Sequence, residues 1–330
     1  MAKLRMTLAC WDYDRTRALA DGTVPVEGVD LVYLTLPVEE TFFRMLRNRE
    51  FDCAELSLSS YVTSLERKDP PFIAIPVFPS RMFRHSGIYV SSASGITEPK
   101  QLVGKRVGNP EYQLTAHVWI RGILAEEYGV PVESVEYLTG GLEDAGRIEK
   151  QKLDLPAAIR IRSIEPTQTL AQLLAEGKID AIYAPRAPST LQTRPDAVHR
   201  LFEDYGSVER AYFQRTRVFP IMHTVAIRRD VYERNPWCAQ ALYKAFVAAQ
   251  RKTYNDLNEL AALKTMLPWL PGHVAETKRA LGDDWWPYGL VPNRHVLETF
   301  LRYHHQQGLS KRLHAPEELF APETLEAFRI

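Results

Sequence analysis

Residues 102–128, LVGKRVGNPEYQLTAHVWIRGILAEEY, constrain this chain more than any other stretch. Lys105-Arg106-Val107-Gly108 reads as a short strand, and Asn109-Pro110 breaks it with a turn signal. Thr115 is then expected as a helix N-cap. Ala116, Val118, Trp119, Ile120, Ile123 and Leu124 predict the amphipathic helix that follows. The first N–H groups of a helix have no backbone partner, so a strand, a turn and a helix start in that order can hold an anion. An ordinary βα unit without a ligand is the competing reading. Either way the grammar is that of an α/β protein.

The neighbouring segments repeat it. KLRMTLAC (3–10) alternates as a first strand, and GVDLVYL (28–34) reads as a second. Glu39 to Arg49 predicts a helix, and FDCAEL (51–56) and FIAIPV (72–77) predict buried strands. Leu170 to Gly177 predicts a helix with a glycine stop, leading into the strand IDAIYA (179–184). Residues 187–217 read as loop, FPIMHTVAIR (219–228) as a strand, and Asp230 to Tyr254 as one long helix. From there to the end the chain reads as helical and aromatic. A chain of 330 residues with this alternation is expected to make about two domains.

Composition excludes several classes. The 41 basic and 41 acidic residues cancel, so no nucleic-acid partner is expected. Cys10, Cys53 and Cys238 show no ligand spacing, which predicts reduced, buried thiols. No run approaches the ~18 apolar residues of a membrane span, so no membrane partner is expected. MAKLRMTLAC turns charged at once, unlike a secretory leader, and predicts a cytoplasmic protein. The common hydrolase, metalloprotease and nucleotide-binding motifs are missing. Any chemistry must come from residues that the fold gathers.

Several segments offer such residues. Trp11, Asp12, Tyr13, Asp14 and Arg15 follow the first strand, at the end where open α/β sheets bind ligands. A polar loop with a helix cap is the alternative there. Ser57, Ser59 and Ser60 sit at a strand-to-helix junction and suit either a carboxylate or simple capping. Arg81, Arg84 and His85 precede a strand, and Arg186 follows one. Guanidinium groups offer planar, two-pronged sites for carboxylates, although solvated surface charge reads equally well.

Four stretches together resemble a known family: LVGKRVGNPEYQLTAHVWIRGILAEEYGV, LAEGKIDAIYAPRAPS, FPIMHTVAIRRDVYERNPW and DDWWPYGLVPNRHVLETFLRYHHQQGLSKR. The strand and helix order resembles the bilobal type II periplasmic-binding-protein fold. The TAxxWxRG, FPIMH and WWPYG segments resemble, within it, the 4,5-dihydroxyphthalate decarboxylases. The resemblance implies an α/β protein of two lobes joined by two crossover strands, near 86–90 and 223–227. Lobe one is then 1–86 with 222–330, lobe two is 87–221, and the ligand cleft lies between them.

The resemblance also implies an activity: a carboxy-lyase that converts 4,5-dihydroxyphthalate, or a close hydroxylated aromatic dicarboxylate, to 3,4-dihydroxybenzoate and carbon dioxide. Each carboxyl-bearing carbon of that ring is para to a hydroxyl, so the ring can accept a proton and then expel carbon dioxide. No organic cofactor is expected for this chemistry; a divalent metal is left open, as is a homo-oligomer. The site needs a proton donor and groups that hold the carboxylate that stays. His223 and His85, both at crossings, are the expected proton carriers, with Asp14 beside them as a third catalytic candidate. Arg15, Arg81, Arg84 and Arg186 are expected on carboxylates, as is Ser59. Thr115 is expected on an anionic group, Asp12 and Glu111 on phenol or arginine, and Trp11, Trp119 and Trp286 against the ring. The main rival is a solute-binding protein that delivers an aromatic carboxylate to a transporter. A thiamine-pyrimidine synthase would bring a cysteine-rich motif, and a regulatory effector domain a helix-turn-helix; the sequence has neither.

Overall fold

A computed structural model describes residues 2–150 and 153–326. Among the described residues eleven strands form two sheets. In chain order they are β1 (Leu4–Cys10), β2 (Val29–Thr35), β3 (Cys53–Ser57), β4 (Phe72–Ile75), β5 (Ile88–Ser91) and β6 (Arg106–Asn109). There follow β7 (Glu136–Thr139), β8 (Arg160–Ser163), β9 (Ala181–Tyr183), β10 (Val198–Arg200) and β11 (His223–Arg228). Among the described residues no helix is long and apolar enough to cross a membrane.

The chain divides into two compact units. The first holds residues 1–81, 221–297 and 314–330, the second 82–220 and 298–313. Two changeovers fall beside β5 and β11. Two more bracket residues 298–313, a stretch that the sequence reading kept with the first unit.

In the first unit the sheet order is β2-β1-β3-β11-β4. β1 runs parallel to β2 and β3, whereas β11 runs antiparallel to β3 and β4. The second unit repeats this plan. Read from one edge its sheet is β8-β7-β6-β9-β5-β10, and β5, the first strand after the chain enters, is the antiparallel one. In each unit the strand made on entry is thus inserted antiparallel between two strands of the opposite direction, beside β3 in the first and beside β9 in the second.

Two of the family-like stretches pack against each other. The helix Thr115–Tyr128 is capped by Leu114 without a side-chain bond, so Thr115 is its first helical residue rather than its cap. Gly122 on this helix faces Tyr303: an added Cβ would lie 2.1 Å from that ring. Trp119 is fully buried, its ring 5.5 Å from Phe300 and 5.7 Å from Tyr303. Arg121 Nε donates to Gln307 Oε1 at 2.7 Å. The TAxxWxRG helix and the helix Arg294–Gln306 with its following residues are therefore matched surfaces.

Two helical expectations change. The pattern from Asp230 to Tyr254 is split into Arg229–Arg234 and Trp237–Leu257. Pro236 supplies no N–H, and Asn235 before it leaves helical geometry (φ −143°, ψ 61°). Conversely, the loop expected over 187–217 contains a helix, Tyr205–Thr216, despite Gly206; Asp204 caps it by accepting from Ser207 N at 3.2 Å.

Candidate active site

The first unit gathers its polar side chains at one edge of its sheet. β1 ends at Cys10 and β3 at Ser57, and antiparallel pairing sets His223, the first residue of β11, opposite Ser57. This edge is the carboxyl end of the parallel strands, where α/β sheets leave backbone groups and loop side chains for ligands.

Glu55 is the centre of it. It lies in β3, whose other residues are as buried as a central strand demands, and its own side chain is fully buried. His223 Nδ1 is 2.6 Å from its Oε1. Tyr13 donates its hydroxyl to the same oxygen at 2.7 Å. Trp11 N donates to Oε2 at 3.1 Å, and the Cys10 thiol lies 3.5 Å from that atom. Burial pushes the Glu55 carboxyl upward, but His223 and the Tyr13 and Trp11 donors outweigh it, and the group is held below its ordinary value. Glu55 is an ionised carboxylate. Burial, and then Glu55 itself, pushes the Tyr13 phenol far up, so Tyr13 stays a donor.

With Nδ1 engaged by an acceptor, His223 has Nε2 as its outward nitrogen. Its side chain keeps 16% of its surface exposed, against none for Glu55. Phe42 braces the ring edge-on, with centroids 4.9 Å apart. A carboxylate behind Nδ1 and an open Nε2 make a proton-transfer group.

Arg15 stands next to this pair. Its guanidinium lies between two rings, 4.2 Å from the centroid of Tyr13 and 4.3 Å from that of Trp286. Nε donates to Pro79 O at 2.6 Å and Nη1 to Asp14 Oδ1 at 3.0 Å. Trp286 is itself fixed, its indole donating to Phe78 O at 2.8 Å. Arg15 is thus a held cation whose Nη2 points to no acceptor among the described residues. That is the disposition of a carboxylate clamp.

The remaining candidates in this unit separate by environment. Asp14 is half-exposed and orients Arg15, while Asp12 pairs with Arg17 at 3.0 Å. The Trp11 side chain is exposed. Ser59 is buried within the helix Leu58–Leu65. Arg81 is buried too: its guanidinium donates to Pro287 O at 2.8 Å and to Asn293 Oδ1, and burial pushes it down to about 9. It ties down the WWPYG segment and is not presented to a ligand.

In the second unit His85 departs from its expected role. It is 1% exposed, and the rings of Tyr212, Phe202 and Tyr128 surround it at 5.2, 5.3 and 6.1 Å. Burial, with Arg215 nearby, pushes it down to about 4, so the ring is neutral. It packs rather than carries protons. Arg84 is buried, with burial pushing it down to about 10, whereas Arg186 is exposed beyond β9. Trp119 belongs to the core described above and offers no face to a substrate. Glu111 is fully buried and neutralised by Arg147, 2.7 Å away, and by Lys150. Thr115 is buried at its helix start. Glu149, which had no assigned role, accepts from Tyr112 N at 2.5 Å; burial pushes it up to about 7. Among the described residues no three His, Cys, Asp or Glu side chains gather as metal ligands.

Glu55 is the candidate residue that sequence reasoning missed; Tyr13 was named in the segment after the first strand but given no role. The signal for Glu55 was present: a carboxylate between apolar residues in a strand read as buried is costly unless paired.

No protein-family model matches the chain. A 4,5-dihydroxyphthalate decarboxylase from Comamonas testosteroni is 43% identical over 330 residues, covering all of both chains. Another from Pseudomonas putida is 44% identical over 204 residues, 62% of this chain and 79% of that one. Among solved structures, the periplasmic aliphatic sulphonate binding protein SsuA from Escherichia coli superposes with a TM-score of 0.55 at 11% identity, over 98% of this chain and 99% of that one. The desulfurization enzyme DSZB does so at 0.51 and 14%, over 98% of each. These distant likenesses carry the fold, which is that of the type II periplasmic binding proteins. Full-length identity of 43% carries more: the chain belongs to the 4,5-dihydroxyphthalate decarboxylase family of carboxy-lyases.

Proposed function

We propose that the chain decarboxylates 4,5-dihydroxyphthalate, or a close hydroxylated aromatic dicarboxylate, to 3,4-dihydroxybenzoate and carbon dioxide, with His223 as the proton donor. The observation that carries this mechanism is the 2.6 Å contact between an ionised, buried Glu55 and His223 Nδ1. The substrate follows from the family.

The steps balance on the residues present. Electron density pushed from the para hydroxyl makes a carboxyl-bearing ring carbon basic. His223 delivers the Nε2 proton there and a C–H bond forms, while Nδ1–H stays on Glu55. The C–C bond to the carboxylate then breaks, its electron pair returns to the ring, and carbon dioxide leaves. Arg15, stacked between Tyr13 and Trp286, holds the carboxylate that stays. Asp14 fixes Arg15 and acts through it. Three buried, unpaired cysteines suit a reducing, cytoplasmic setting.

The test is incubation with 4,5-dihydroxyphthalate while carbon dioxide and 3,4-dihydroxybenzoate are followed, with and without a chelator. Equal release of both products supports the proposal. Tight binding with unchanged substrate overturns it in favour of transport. Loss of turnover on chelation adds a divalent metal to the mechanism.

A further inference from the structure

We propose that Tyr13 is a positioning residue for His223, acting through Glu55: its hydroxyl competes for the oxygen that orients the imidazole. The proposal rests on the reading of His223 as proton donor and adds a control over how readily that proton is given up.

The geometry is a shared acceptor. Glu55 Oε1 receives the Tyr13 hydroxyl at 2.7 Å and faces His223 Nδ1 at 2.6 Å. Oε2 is occupied from the other side by Trp11 N and the Cys10 thiol. The charged and titratable groups around the pair are Cys10 at the end of β1, Tyr33 on β2, and Tyr13 and Arg15 after β1; Phe42 adds only a ring edge. A carboxylate that shares its charge among several donors pulls less on each of them. A bare Glu–His pair would hold the imidazolium tightly and make it a reluctant acid. Tyr13 weakens that hold without removing it. Its ring also carries the Arg15 guanidinium, so one side chain touches both the clamp and the proton donor's support.

The experiment is an NMR titration of the His223 ring in the full chain without substrate, beside the pH profile of kcat/KM. Tyr13→Phe should raise the His223 midpoint by about one pH unit, the size of one charge-assisted hydrogen bond partly redistributed. The alkaline limb of kcat/KM should move with it. Glu55→Gln should lower the midpoint, and Tyr13→Phe added to Glu55→Gln should shift it no further. Replacing Tyr13 with 3-fluorotyrosine, a stronger donor of nearly the same shape, should move the midpoint down, and serves if Tyr13→Phe folds poorly. An unmoved midpoint in both Tyr13 variants overturns the proposal, as does an equal shift on the Glu55→Gln background. The titration needs no turnover, so it stands or falls apart from the decarboxylase reading.

Discussion

Glu55 Oε1 and His223 Nδ1 lie 2.6 Å apart although 168 residues separate them in the chain. The pair exists only because β11 inserts antiparallel beside β3. Its removal should therefore touch chemistry before fold. His223→Ala should lower kcat by about 10²–10⁴-fold, the usual worth of a positioned acid or base, with an unchanged far-ultraviolet circular dichroism spectrum. Near-full turnover by a folded His223→Ala protein would remove the histidine from the mechanism.

Arg15 tests the clamp. Lysine keeps the charge but loses the planar fork and its stacking on Tyr13 and Trp286. Arg15→Lys should raise KM for the dicarboxylate by about tenfold, the worth of ~1.4 kcal/mol, while kcat changes less. Steady-state kinetics on the purified variant decide it.

His85 should matter to acid stability and not to turnover. Its folded-state pKa, about 4, lies below its ordinary 6.5. A group depressed in this way binds protons preferentially in the unfolded chain as pH falls from about 6.5 to 4. Its neutral form thus favours the fold above that window, and the advantage fades within it. His85→Phe fits the aromatic surround and should flatten this part of the stability curve, measured by urea denaturation at several pH values, with decarboxylation retained.

Glu149 carries the opposite sign. Its carboxyl is raised from 4.5 to about 7, so the folded state holds the proton longer than the unfolded chain does. The stability it contributes is present below about 4.5 and lost as pH rises through about 7. Glu149→Gln mimics the protonated acid and keeps an acceptor for Tyr112 N. It should raise Tm at pH 8 relative to the parent and have little effect at pH 5.

Gly122→Ala should destabilise the protein by about 1–3 kcal/mol, because the added methyl meets the Tyr303 ring within a packed helix pair. Combining it with Tyr303→Ala should recover part of that loss, read as a non-additive change in denaturant midpoint.

These sites show what a linear sequence reveals. The 102–128 stretch disclosed its strand, turn and helix, since apolar period and turn chemistry are local. It did not disclose that Trp119 faces Phe300, because a helix buried nearly all round gives no preferred face. His85 and His223 looked equivalent at two crossings. Only the surrounding rings in one case and a carboxylate in the other tell them apart. Arg15 was legible as a candidate, but its grip depends on Trp286, far away in the chain. Glu55 was read only as part of the strand 51–56, and its partners come from the end of β1, the turn after it and β11.

The placement of residues 298–313 in the second unit bears on how the protein is made. As the chain leaves the ribosome, residues 82–220 emerge without Phe300, Tyr303 and Gln307, which Trp119, Gly122 and Arg121 require. The first unit waits longer: Phe320 bridges to Ala74, Ala321 N bonds Ala74 O at 2.9 Å, and Tyr61 donates to Leu319 O. The second unit cannot finish its core before Phe300, Tyr303 and Gln307 are made, nor the first before Leu319, Phe320 and Ala321 are. A nonsense codon just before Phe300 would therefore leave two unfinished halves, not one sound half and one damaged one.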